Sequence, residues 1–315
     1  MNKPLKILLT GSNGFIGYNL YQWMRRTHQE AEIYCYDMAY GQDILDLEKL
    51  KSAVQGKDVV FHLAALTHVD YSISGPWEQR QLFIDINHKG AWNVLEACRE
   101  AKVKLVHIST SEVYGANMYP GKPMTEDHPL NPMAGTYAVA KAAADHECRV
   151  AYEVFGQDVV VIRPFNQYGP HQSMEKLIPR FIKLATYGEP LTIHGNGQQK
   201  RDYVYAEDTA SALWAAKDFP AGTVVNIGTE NAYSINELAD MIIKKVESRF
   251  PSIKVYVEKD VARPNDLAEL NGSYQLINKL CGWTPTFSLE QGIEKCVDWY
   301  SSNGYIQPPQ ILTAG

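Results

Sequence analysis

Short, nearly continuous apolar runs alternate along the chain with stretches whose apolar residues recur every three or four positions. Leu5–Leu9, Ile33–Tyr36, Val59–Leu63, Lys104–Ile108 and Val159–Ile162 read as strands. Leu20–Arg26, Leu47–Val54, Gly90–Ala101 and Tyr137–Phe155 carry the helical period. Strands that are apolar on both faces need cover on both sides, and helices between them supply it. The pattern therefore predicts an α/β protein with a doubly wound parallel sheet.

The texture changes after Arg163-Pro164. Pro170, Pro179 and Pro190, with Gly169, Gly188, Gly195 and Gly197, break the chain into short pieces. Strands are expected at Leu191–His194, Val224–Ile227 and Val255–Val257. One helix is expected from Ser234, because Glu237 three residues on makes a capping-box pattern, and another over Leu289–Tyr300. The expected organisation is a nucleotide-binding domain over residues 1–165, with 201–230 returning to it. A smaller C-terminal substrate-binding lobe would comprise 166–200 and 231–315.

Composition narrows the class without naming a function. Hydrophobic residues make up 45% of the 315 and charged residues 21%, as in an ordinary globular protein. The formal net charge of -6 predicts neither a nucleic-acid nor a membrane partner. Cys35, Cys98, Cys148, Cys281 and Cys296 form no CxxC pair, so free thiols in a reducing cytoplasm are expected, with no metal. The first strand begins at Leu5 without a signal-peptide core. No apolar run reaches the roughly 18–20 residues of a membrane span.

Chemistry first shows at the turn after the first strand. Gly11-x-x-Gly14-x-x-Gly17 lies between a strand and a helix, where glycines let the backbone approach a pyrophosphate at the helix N-terminus. This is the dinucleotide site of a Rossmann sheet. Asp37 closes the second strand, where a carboxylate accepts both ribose hydroxyls and repels a 2′-phosphate. With no arginine following it, NAD is expected rather than NADP.

Tyr137 and Lys141 are four residues apart, so they share one helix face. A nearby ammonium favours the phenolate, which would lower the tyrosine pKa and let it take the proton of a substrate alcohol. Ser109-Thr110-Ser111-Glu112 follows the fourth strand, at the end of the sheet where ligands bind.

Taken together, Thr10–Gly17, His62-Leu-Ala-Ala65, Ser109–Gly115, Tyr137–Asp145, Arg163–Gly169, Gly195–Asp208 and Arg263-Pro-Asn-Asp266 resemble the extended short-chain dehydrogenase/reductases that modify nucleotide sugars. The resemblance covers nearly the whole chain. It implies a catalytic set of Thr110, Ser111, Glu112, Tyr137 and Lys141, with Lys141 also holding the nicotinamide ribose. It implies NAD contacts from Gly11, Asn13, Gly14, Phe15, Ile16, Gly17, Asp37, Asp43 and Ile44. Leu63, Ala64, Ala65, Thr67, Asn87, Ser109 and Pro164 would complete that set, with Tyr137 and Lys141. Asn166, Lys176, Leu177, Arg201 and Arg263 would bind the substrate, Asn166 touching its diphosphate and Arg201 and Arg263 clamping it, a task that suits the planar guanidinium fork.

Glu112 discriminates among the family's reactions. Simple 4-epimerases usually have no acid there, whereas 4,6-dehydratases and UDP-glucuronate decarboxylases have a glutamate. Once C4 is a ketone the C5 proton is acidic, and a carboxylate can remove it while water leaves from C6. Thr67–Ile73 and Glu175–Pro179 resemble the dTDP-glucose 4,6-dehydratases, but those enzymes carry Asp-Glu where this chain has Ser111-Glu112. The expected activity is an NAD-retaining nucleotide-sugar 4,6-dehydratase. A 5,6-dehydratase, a UDP-glucuronate decarboxylase, a 4-epimerase and a catalytically silent NAD-binding sensor or scaffold stay open. Helices Asn87–Ala101 and Tyr137–Phe155 carry apolar residues on more than one face, among them Trp92, Val94, Ala142, Ala143 and Val150. With the resemblance, they imply a homodimer built on a four-helix bundle.

Overall fold

Alternate side chains of the apolar strands fill two separate cores, one on each face of a central sheet. The structure is a computed structural model describing residues 3–261 and 267–306. Strands β1 (Lys6–Thr10), β2 (Glu32–Tyr36), β3 (Val59–His62), β4 (Lys104–Ile108) and β5 (Val159–Pro164) pair in parallel with Val224–Ile227. Their spatial order is β2-β1-β3-β4-β5, with Val224–Ile227 outermost. Ile7, Leu9, Phe61, Val106 and Val160 face the helices Phe15–Thr27 and Ala206–Ala216. Leu8, Val60, Leu105 and Val161 face Leu47–Val54, Ala91–Ala101 and Gly135–Phe155. This period-two division is what a sheet covered on both sides requires.

A third core gathers Ile178, Phe181, Ile182, Leu238, Ile242, Ile293 and Tyr300 around Tyr168, Tyr203 and Tyr205. It lies beside a small sheet of Asn166–Tyr168, Lys200–Tyr205, Ala232–Ser234 and Glu269–Leu270. Leu191–His194 pairs separately with Val257–Asp260. The last strand lies further along the chain than the expected Val255–Val257, and all four of its residues are exposed. Ser234 and Glu237 form the expected capping box, and Ser288 with Gln291 forms a second one before Leu289–Ser302.

One irregular element bears on the site. Helical chain from Trp77 to Ala101 is interrupted by a π-helical turn over Asp85–Gly90. Such turns re-aim side chains within a helix. Here the turn sends Asn87 toward the loop that follows β3, where its amide exchanges two hydrogen bonds with the backbone of Leu66 (2.8 and 2.9 Å).

Candidate active site and cofactor crevice

The chain leaves β1 for β2 on one side and crosses to β3 on the other, so a crevice opens at the carboxyl ends of β1 and β3. Two glycines make that crevice possible. Gly11 has φ +69°, and a Cβ on it would lie 2.5 Å from the Ala64 nitrogen. A Cβ on Gly17 would lie 2.1 Å from the Gly11 carbonyl oxygen. The helix Phe15–Thr27 begins at Gly14 with no side-chain cap and no acid in its first turn, so its leading N–H groups face the crevice without a competing anion.

Asp37 stands at the end of β2 and accepts hydrogen bonds from the backbone N–H of Asn13 (2.9 Å) and of Ala39 (2.9 Å). Its carboxylate is thus tied to the glycine loop. Thr10 Oγ1 bonds the buried His62 Nδ1 at 2.7 Å and accepts from the Ala64 N–H at 3.4 Å, which joins β1 to the Leu63–Ala65 loop. The hydroxyls of Ser12 and Ser109 are buried with no hydrogen-bond partner among the described residues. Orphaned hydroxyls, uncapped helix N–H groups and a glycine cradle fit a dinucleotide.

Not every residue expected at the cofactor meets that crevice with its side chain. Ile44 is buried against Gly90 instead, and its carbonyl accepts from Asn93. Asp43 is turned back on its own loop, its carboxylate accepting from Leu45 N–H and its carbonyl from the Tyr36 hydroxyl. Asn87 spends its amide on Leu66, so it shapes the loop. Thr67 is exposed, and its carbonyl accepts from Lys176 Nζ at 2.8 Å. Pro164 is buried at the end of β5, Asn13 and Gly14 are exposed, and Phe15, Ile16, Leu63, Ala64 and Ala65 are half-buried.

The carboxyl end of β4 turns through a 3-10 segment, Ser111–Tyr114, capped by the Thr110 hydroxyl, which accepts from Glu112 N–H. Ser109, Thr110 and Ser111 are buried there and Glu112 is half-buried. Tyr137 and Lys141 come from the first turns of Gly135–Phe155, and both are buried. Burial pushes the Tyr137 phenol up to about 12; a hydrogen bond with the Thr110 side chain opposes this and the Glu112 charge adds to it. Burial also pulls Lys141 down to about 8. Its ammonium donates to the Ile108 carbonyl at the end of β4.

The expected depression of the tyrosine by the lysine is therefore not what the protein shows. Desolvation sets the Tyr137 shift, and the Lys141 ammonium is committed to the Ile108 carbonyl at the end of β4. Thr110, Glu112 and Tyr137 do converge, since hydroxyl and carboxylate both act on the phenol.

From Glu112 a cleft of about 670 Å³ runs into the second lobe. Asn166, Lys176, Leu177 and Arg201, all expected at the substrate, line it. Asn166 Oδ1 is buried without a partner among the described residues, and desolvation lowers the Lys176 pKa. Arg201 is braced by the carbonyls of Lys200 and Leu267. Arg263 lies outside the described residues. Among these residues, no group of histidine, cysteine, aspartate or glutamate is placed to hold a metal, and no helix is long and apolar enough to cross a membrane.

Residues 7–228 match the family described as the NAD dependent epimerase/dehydratase family. The chain belongs to that family. It is 32% identical to dTDP-glucose 4,6-dehydratase 1 of Escherichia coli over 95% of this chain and 93% of that one. A dTDP-glucose 4,6-dehydratase of Streptomyces venezuelae, solved with NAD bound, superposes with a TM-score of 0.85 at 28% identity, covering 96% of this chain and 99% of that one. The UDP-glucuronic acid 4-epimerase of Bacillus cereus, solved with UDP-glucuronic acid and NAD, gives 0.83 at 28% identity over 95% and 100%. The chain is thus similar to enzymes of more than one reaction within an NAD-dependent family of nucleotide-sugar dehydratases and epimerases.

The cleft is also lined by residues that the motifs did not single out: His68, Gln167, Arg180, His194 and Gln199. His68 pairs with Glu175 at 3.6 Å and His194 with Asp260 at 3.5 Å. His68 sits inside the Thr67–Ile73 stretch, and His194 immediately precedes Gly195–Asp208. Both stretches signal the family, but nothing in their spacing marks either histidine.

Proposed function

We propose that the protein is a nucleotide-sugar 4,6-dehydratase that keeps its NAD through the cycle. The observation that carries this reading is the position of Glu112, which both acts on the Tyr137 phenol and opens onto the cleft lined by Asn166, Lys176 and Arg201. NAD, when bound, accepts a hydride from C4 of the sugar and returns it at the end. Gly11, Gly14 and Gly17 would hold its pyrophosphate, Asp37 its adenosine ribose, and Ser109 and Lys141 its nicotinamide end.

Tyr137 takes the C4 hydroxyl proton while Thr110 fixes that oxygen, leaving a C4 ketone. Lys141, one turn further along the same helix face, would support the phenolate through its ammonium charge. The ketone acidifies C5, and Glu112 removes the C5 proton. The C5–H and C6–O bonds break and one water departs, the proton that completes it passing through Glu112, since Ser111 stands where relatives of this type carry an aspartate. A proton returns to C5, and with the hydride that bound NAD would supply to C6 the net change is loss of one water. Asn166, Arg201 and Arg263 would hold the diphosphate throughout, with Lys176 and Leu177 lining the substrate cleft.

Mass spectrometry after incubation with a panel of nucleotide sugars tests the reading. Loss of water is expected. Loss of carbon dioxide would make the protein a decarboxylase, and turnover without mass change an epimerase, the alternative that the similarity to the Bacillus cereus enzyme supports. Binding without any chemistry would leave a sensor or scaffold.

A further inference from the structure

The turn that carries Glu112 and the helix that carries Tyr137 and Lys141 are joined beneath the site by buried polar side chains that take no part in the steps above. Asp145 continues the Tyr137–Lys141 face of the helix by one more turn and is fully buried. Arg163 on β5, 2% exposed, grips it with two parallel bonds, Nε to Oδ2 at 2.9 Å and Nη2 to Oδ1 at 2.7 Å. The same guanidinium donates from Nη1 to the hydroxyl of Tyr114 at 3.0 Å and to the Glu126 carbonyl at 3.3 Å. Tyr114 then donates to Asn226 Oδ1 at 2.7 Å. Asn226 is itself fixed to the Met124 carbonyl (3.0 Å) and to the Glu126 carboxylate (2.7 Å).

Tyr114 is two residues beyond Glu112 in the same 3-10 turn, and it is 1% exposed. Its one oxygen both accepts and donates, so the ring is held in plane and in rotation. A buried ion pair is a poor way to gain stability, because desolvation of the two charges cancels much of their attraction. What such a pair supplies well is direction, since a bidentate fork has one geometry.

We infer that Tyr114, pinned by the Asp145–Arg163 pair and by Asn226, is a positioning residue that sets the Glu112 turn against the Tyr137–Lys141 helix. The oxidation at C4 and the proton removal at C5 then share one geometry. The inference rests on the dehydratase reading for its chemical consequence, but not for its mechanical one.

Arg163→Ala would strand the Asp145 charge in the interior and invites unfolding. Tyr114→Phe is the cleaner variant, because it deletes one oxygen and keeps the ring stacked near Phe165 (centroids 6.4 Å apart). Backbone amide exchange is expected to speed up about tenfold in Glu112–Gly115 while the helix Gly135–Phe155 keeps its wild-type protection. With a nucleotide sugar that the wild type processes, solvent deuterium entry at C5 should fall about tenfold, whereas reduction of the bound cofactor stays near its wild-type rate. Unchanged exchange in the turn overturns the inference whatever the reaction proves to be. So does a uniform loss, with turn and helix loosened together and both partial reactions reduced alike, since that is what a merely structural tyrosine would give. If the wild type exchanges C5 in no nucleotide sugar, the dehydratase reading fails, while amide exchange still decides the brace.

Discussion

Replacing Gly11 by alanine probes the cofactor crevice at the point where sequence and geometry meet. Two separate penalties arise. A non-glycine residue at φ +69° carries about 1–2 kcal/mol of left-handed strain. The new methyl would also lie 2.5 Å from Ala64 N and 2.7 Å from Ala64 Cα, both backbone atoms that cannot rotate away. Overpacking of that kind costs about 1–3 kcal/mol. The sum is roughly 2–5 kcal/mol, and at about 2 °C per kcal/mol for a chain of this size the melting temperature should fall by roughly 4–10 °C. Gly56→Ala is the control, because Gly56 has the same φ of +69° but open space around it. It should lose only the strain, about 1–2 kcal/mol. Thermal melts give the stabilities, and titration of each variant with NAD gives the affinity. Gly11→Ala should bind NAD far more weakly, with turnover reduced on the order of 100-fold if the loop retreats by an ångström. Gly56→Ala should bind normally. Equal destabilisation of the two variants, with NAD affinity intact in both, would refute the argument that backbone approach to Ala64 requires a glycine.

Denaturing the purified protein should release NAD rather than NADP, and Asp37→Ala should weaken NAD binding about tenfold by removing the ribose acceptor and the Asn13 tether. NADP as the main cofactor would contradict this. Burial, aided by the Lys141 charge, holds His62 at about 3, against 6.5 when unfolded, and His107 is shifted the same way. The unfolded chain therefore binds more protons between those values, so this stability is full above pH 6.5 and is lost as pH falls toward 3. Urea unfolding should show a loss of roughly 2 kcal/mol from His62 by pH 5, smaller in His62→Gln; identical acid losses in the two proteins would contradict it. Trp92 and Val150 are each about half exposed, Val154 and Phe155 on the same pair of helices more so, and we expect a second copy to cover them. Light scattering should give twice the mass of one chain, and Trp92→Glu with Val150→Glu should give a single chain; a single-chain mass for the wild type would contradict it.

The central sheet was legible because each of its strands is a continuous apolar run, and such runs have no other comfortable place than between two helical layers. Boundaries were met at Lys104–Ile108 and Val224–Ile227, and slipped by a residue where polar residues join a strand, as Thr10 does in β1 and Glu32 in β2. Helices Val69–Ser74 and Trp77–Ile84 were not anticipated, since Pro76 divides a mostly polar segment that packs through little more than Ser72 and Phe83. The π-turn carrying Asn87 has no sequence signal apart from its helical surroundings. Apolar excess misled at Val94 and Ala142, which are buried in their own chain's core. At the site, motif spacing placed Thr110, Glu112 and Tyr137 together because one strand end and one helix start fix them. It misjudged the Tyr137 pKa, because spacing sees the nearby lysine but neither the burial of the phenol nor the carbonyl of Ile108. The Asp145–Arg163–Tyr114 brace was invisible for the same reason, its members coming from three elements that meet only in the fold.

Glu112→Gln offers the most direct test of the proposed chemistry. The amide keeps the size and hydrogen-bonding reach of the side chain but cannot take a proton. Incubated in deuterated water with a nucleotide sugar that the wild type dehydrates, the variant should still reduce its bound cofactor, because Thr110, Tyr137 and Lys141 remain. Deuterium entry at C5 and loss of water should both fall by about 10²–10⁴. Dehydration at the wild-type rate would contradict the account, since Glu112 would then not be the base that removes the C5 proton.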